Sequence, residues 1–195
     1  AGLPEPGAPR SVARVRKEGA PGDETARGTD RRGEAGTPLD WETLSRQARI
    51  TRTTRGIPHI RAENTAAAGF ALGWVQMEDY GIRVVDLLLS ARGETARHYG
   101  PGTNDARVTS DLRSKRTLRL AETAFPSLPD DLQGMYEGFA LAVNRWLELH
   151  PEDGPPSLEP DFTGAQVLAR DVPGPNWGMG ERFARRLEEG GGNGD

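Results

Sequence analysis

The sequence predicts an α+β body, mostly helical, with a β-hairpin at its N-terminal end. Residues 48–54, "ARITRTT", and 57–62, "IPHIRA", read as two extended runs around the turn pair Arg55-Gly56. From residue 65 onward, apolar residues instead recur at helical spacing. Both ends of the chain lack the apolar content that a packed element needs.

Residues 1–40 hold no aromatic side chain and mix both charges with Gly and Pro. Such a stretch cannot bury enough apolar surface to offset its ordering entropy, so a disordered leader is expected. Its arginines, Arg10, Arg14, Arg16, Arg31 and Arg32, could form an anion-binding arm. Interleaved acidic residues favour a solvated tail instead. The domain proper is expected over residues 41–189, and the glycine-rich 190–195 as a flexible tail.

Within the domain, Pro58 suits the edge or start of a strand because it donates no ladder hydrogen bond. Asn64 or Thr65 can cap a long helix in which Phe70, Trp74, Met77 or Val75, then Ile82, Val85 and Leu89 recur at helical spacing. Its interior Gly69, Gly73 and Gly81 imply a close packing partner, or a kink at Gly81. Gly100-Pro101-Gly102 ends it. A second helical region is read over 111–124 and a third over 130–150, where Leu132, Met135, Tyr136, Phe139, Val143 and Trp146 or Leu147 make one apolar stripe. Thr163 can cap the short helix "GAQVLARD", and "ERFARRLEE" can be helical again. A two-stranded hairpin is no stable sheet by itself, so the inventory reads as part of a larger fold.

Composition narrows the chemistry. The 195 residues suit one domain, and a formal charge of −4 gives no electrostatic reason to expect nucleic acid or an anionic membrane. Cysteine is absent, which excludes disulfides, thiolate metal sites and a cysteine nucleophile. No apolar run is long enough to span a bilayer. An opening alanine in place of methionine fits a chain cut from a longer product.

The three histidines, His59, His98 and His150, have no ligand-spaced second histidine, so a histidine metal site is not expected. His59 reads as structural, with a catalytic role as the alternative. Glu78 and Asp79 are adjacent carboxylates pointing about 100° apart on a helix, which suits a salt bridge to Arg83 or Arg97 better than an acid–base pair. No phosphate loop and no G-x-S-x-G is present. Met179, Arg182 and Phe183 lie at i, i+3 and i+4, on one helical face. They suit a ligand with an apolar body and a polar or anionic handle; the alternative puts Met179 and Phe183 in the core and Arg182 on the surface.

Together these segments resemble the α-chain of the penicillin acylase family, hydrolases whose nucleophile is an N-terminal residue. The motifs are "RGIPHIRAENTAAAGFALGWVQMEDYGIRVVDLLLSARGETARHYG", then "LPDDLQGMYEGFALAVNRWLELHP", then "DFTGAQVLARD", with glutaryl-cephalosporin and acyl-homoserine-lactone acylases the nearest in flavour. The resemblance implies an α-chain whose strands complete an αββα sandwich formed mainly by a separate β-chain. That β-chain carries an N-terminal serine as nucleophile, so no catalytic residue is expected here. It implies autoproteolytic processing, a heterodimer, a periplasmic or secreted location and hydrolysis of linear amides such as β-lactam side chains or N-acyl-homoserine lactones.

The family's Met-x-x-Arg-Phe pocket face matches Met179, Arg182 and Phe183 as substrate-binding residues, although Pro173, Gly174 and Pro175 interrupt the approach to it. Glu189 matches a ligand of a structural calcium found in some members, and no cofactor is implied for catalysis. Outside the resemblance stand a non-catalytic helical binding module and an inactive relative of the family.

Overall fold

The computed structural model describes residues 39–171, and these form seven α-helices, three single-turn 3-10 helices and one hairpin. The chain opens with α1 (Trp41–Arg46), an element absent from the sequence reading. Asp40 starts it by accepting the Thr43 N–H at 2.8 Å, and these hydrogen bonds hold its carboxyl below the usual range. The hairpin follows, with β1 (Ala48–Arg52) antiparallel to β2 (Pro58–Ala62). Pro58 stands first in β2, where a missing N–H costs no ladder bond.

Side chains alternate across the hairpin. Ala48, Ile50 and Arg52 face inward beside Ala62, Ile60 and Pro58, while Arg49, Thr51, His59 and Arg61 face outward.

Only Glu63 and Asn64 separate the hairpin from α2 (Thr65–Tyr80). Asn64 caps this helix through the Ala67 N–H at 2.8 Å and ties itself to Gln47 at 2.9 Å. The predicted single long helix is three: α2, α3 (Ile82–Arg92) and α4 (Thr95–Tyr99). Gly81 makes the first break at φ 49°, ψ −120°, a conformation that a side chain would oppose, and Gly93 makes the second at φ 67°. Next come α5 (Ala106–Ala124), α6 (Asp130–Leu149) and α7 (Gly164–Asp171). Thr163 and Gln166 form a capping box at α7: the Thr163 hydroxyl accepts the Gln166 N–H while the Gln166 side chain accepts the Thr163 N–H.

The closest packing joins α2 to α6. A Cβ added at Gly69 would collide with the Met135 carbonyl, and one at Gly138 with the Ala66 carbonyl. One at Gly73 would lie 2.8 Å from the Phe139 oxygen. Contacts advance together along both helices: Ala66 meets Gly138, Gly73 meets Ala142, and the Trp74 ring meets Trp146 edge-on at 5.1 Å. The two helices therefore run in the same direction. Their glycines answer to a packing partner, as expected for Gly69 and Gly73.

The main core gathers Met77, Val84, Val85, Leu88 and Leu89 against Phe139, Val143, Leu147, Phe162 and Val167. The α6 stripe is buried at Phe139, Val143 and Leu147 but has run out by Leu132, which is exposed. Fully burying one such aliphatic or aromatic side chain stabilises by roughly 1.5–3 kcal/mol.

Candidate functional site

Arg52, at the end of β1, sits on the hairpin face turned toward α2. Its Nη2 donates to Glu78 Oε2 at 2.6 Å and to Asp79 Oδ1 at 2.7 Å, while Nη1 reaches the Gly56 carbonyl at 2.8 Å. The partner expected from sequence is thus corrected. Arg97 pairs with Glu94 at 3.6 Å, and Arg83 makes no ion pair among the described residues. Folding the hairpin back along α2 delivers a planar, five-donor group on which two diverging carboxylates can converge. The hydrogen bonds that Arg52 donates to Glu78, then to Asp79, raise its basicity. Both carboxylates also lie in the last turn of α2, where the helix dipole disfavours negative charge, and Arg52 offsets that. This cluster is a structural clamp, not an acid–base pair.

The histidines are separate from one another in role. His59 is exposed opposite Thr51, on the outer hairpin face. His150 packs against Trp146 at 4.5 Å and lies 3.7 Å from Glu152. His98 Nδ1 lies 3.0 Å from the Ser157 hydroxyl, a contact that a separation of 59 positions hides from the sequence. A serine–base pair needs a group orienting the other ring nitrogen. His98 Nε2 is buried with no such partner among the described residues, and the contact ties α4 to the loop before α7.

That loop and the end of α6 line a groove of Leu147, Leu158, Pro151, Pro155 and Pro160, with Glu148 its one ionisable lining group. Among the described residues, no three His, Asp or Glu side chains converge to hold a metal.

The remaining polar groups brace the body. Asp111 is buried and accepts the Thr95 and Ala96 N–H groups at 3.1 and 2.7 Å, satisfying the free donors at the start of α4. Tyr99 donates to Asp86 at 2.7 Å; burial and that carboxylate push its phenol up to about 12. Arg92 binds Asp161 at 2.6 Å while lying over the Phe162 ring at 5.2 Å. Asn144 holds Phe162 by both backbone groups. These contacts fix the segment entering α7.

Met179, Arg182, Phe183 and Glu189, the expected pocket and calcium residues, lie outside the described residues, as does "ERFARRLEE". The described body therefore supplies a scaffold that contains no nucleophile–base set.

Comparison with known proteins places this scaffold. The penicillin amidase family model matches residues 47–179, more than half of the chain. An acyl-homoserine lactone acylase, PvdQ, from Pseudomonas fluorescens (strain Pf0-1) is 29% identical over 119 residues, 56% of this chain and 15% of that protein. Aculeacin-A acylase from Actinoplanes utahensis is 31% identical over 109 residues, 51% of this chain and 14% of that protein. The chain thus spans about one seventh of the length of these curated relatives.

In fold it is similar to a thermostable penicillin G acylase from Alcaligenes faecalis, with a TM-score of 0.54 at 23% identity, covering 71% of this chain and 74% of that one. None of the described helices is long and apolar enough to cross a membrane. With its hairpin, its α2–α6 pair and its α7 all inside the matched residues, the chain belongs to the penicillin amidase family.

Proposed function

We propose that this chain is the α-chain, or N-terminal part, of an amidohydrolase whose nucleophile is an N-terminal serine on a downstream β-chain. The observation that carries this reading is a family match over the described body from the hairpin through α7, in a described body without any nucleophile–base set of its own. Two further facts support it: the chain is a small part of its relatives' length, and the hairpin leaves both of its outer strand edges unpaired among the described residues. In this reading the strands join an αββα sandwich formed mainly by the β-chain.

The reaction follows from that arrangement. The serine hydroxyl of the β-chain adds to an amide carbonyl while its own α-amino group takes the proton. The oxyanion collapses, the C–N bond breaks and the amine leaves protonated; water then cleaves the acyl ester, freeing acid and serine. Met179 and Phe183 form the acyl wall and Arg182 a polar handle. A structural calcium held in part by Glu189 belongs to the same proposal, as do autoproteolytic processing and a periplasmic or secreted location. The substrate class is linear amides, such as β-lactam side chains or N-acyl-homoserine lactones.

The test is to express the complete natural reading frame and assay amine release from a penicillin and from N-acyl-homoserine lactones of several chain lengths. The expected result is hydrolysis by a two-chain product, abolished when the new N-terminal serine becomes alanine. A processed two-chain product inert toward every acyl amide overturns the functional reading.

A further inference from the structure

The outer face of the hairpin carries an unresolved conflict of charge. Arg49 on β1 stands directly across from Arg61 on β2, and both side chains are exposed. Like charges directly opposite on a sheet face are destabilising. Arg52, Arg92, Arg97, Arg145 and Arg170 each reach a carboxylate, whereas Arg83 and Arg55 do not among the described residues. Arg49 and Arg61 reach none among the described residues, and neither makes any other polar contact.

The groups around them offer little relief. Their row neighbours are Thr51 and His59, which add no negative charge, and Arg55 in the turn adds a further cation. Glu63 follows β2 beyond Arg61 but forms no ion pair with it. The opposite hairpin face is already occupied by α2 and the Arg52 clamp.

We infer that the outer hairpin face is a docking surface for an acidic extended segment of the downstream polypeptide, which seats a carboxylate in the row of Arg49 and Arg61. This rests on the reading of the chain as an α-chain. Two guanidiniums with ten N–H donors between them can hold one or two carboxylates at once. A strand added to either free edge carries alternate side chains into that same row. The bound carboxylate converts a repulsive pair into a bridged one, so the gain appears only in the assembled protein.

The experiment uses the full reading frame with an affinity tag on the downstream chain, and follows the rate at which this chain dissociates. Arg49→Glu is the informative variant, because it replaces the repulsion with an attractive pair to Arg61 and so favours the hairpin while removing the site. The processed complex should form in ordinary yield and dissociate about tenfold faster at roughly 50 mM salt, the difference shrinking to about twofold near 500 mM. Arg49→Gln with Arg61→Gln should behave likewise, whereas Arg49→Lys with Arg61→Lys should stay within about threefold of the parent and Arg55→Gln within about twofold.

Unchanged dissociation in both Arg49→Glu and the double glutamine variant overturns the inference while leaving the α-chain reading intact. Failure of the unmodified frame to yield a second chain overturns that reading, and the inference with it.

Discussion

Asn144 Nδ2 donates to the Phe162 carbonyl and Asn144 Oδ1 accepts the Phe162 N–H, both at 2.9 Å. One side chain on α6 thus does for Phe162 what a neighbouring strand would do, in a segment that has no strand beside it. The Phe162 ring can then enter the main core without leaving its own backbone unpaired. Asn144→Ala should cost about 1–3 kcal/mol, because the truncation strands two partly buried backbone groups. Asn144→Asp should also destabilise, since a carboxylate cannot donate to the carbonyl. Urea unfolding midpoints report both.

The Arg52 clamp predicts a hierarchy of substitutions. Arg52→Met leaves Glu78 and Asp79 uncompensated at the negative end of α2 and should lose about 1–2 kcal/mol, a modest figure because all three side chains are partly exposed. Arg52→Lys should recover only part of this, as a point charge cannot fork to two carboxylates and a carbonyl. Raising ionic strength should narrow the gap between parent and Arg52→Met in thermal melts.

Packing makes a stronger demand at the α2–α6 crossing. Gly69→Ala and Gly138→Ala should each destabilise by about 1–3 kcal/mol, despite alanine's better helix propensity, because the new methyl group meets main chain that cannot swing aside. Gly56→Ala differs in kind: nothing crowds that position, and only its positive φ opposes the change. Comparing the three by thermal melting separates collision from backbone strain.

Alkaline titration should single out Tyr99. Its phenol is raised to about 12 in the folded protein against an ordinary value near 10, so the folded state holds the proton more tightly. Between those values the unfolded chain loses a proton that the folded one keeps, and stability falls as pH rises. Below about pH 10 both states are protonated and the phenol adds no slope. Tyr99→Phe should unfold with a shallower dependence on pH over that interval.

Much of the scaffold was legible because its signals are local. Asn64 ahead of an apolar periodic run, Pro58 at a strand start and Thr163 ahead of Gln166 each act within a few residues. Gly69 and Gly73 announced a close neighbour without naming it, since the partner lies on α6. The same limit explains the wrong partner expected for Glu78 and Asp79: Arg83 is close in sequence, whereas Arg52 is close only once the hairpin folds back.

The kink at Gly81 is one of the two readings of that glycine and is present, whereas the break at Gly93 depends on backbone angles that composition permits but does not require. Helix α1 is six residues long, too short for periodicity to reveal, although Asp40 is an ordinary capping signal. Asp111 and His98 act across the fold and left no local trace.

The order in which the chain leaves the ribosome gives the glycine-lined crossing another consequence. The hairpin and α2 can close on each other as soon as Asp79 has been made, since Arg52 is already present. Helix α6 does not begin until Asp130, so the crossing face of α2 waits for its cover during the synthesis of everything between. At the closest approach that face is built from Ala66, Gly69 and Gly73, which offer little grip to a wrong neighbour, with the larger Trp74 and Met77 confined to its C-terminal end. The small residues that permit the tightest contact in the finished protein also keep that surface quiet while it is still unfinished.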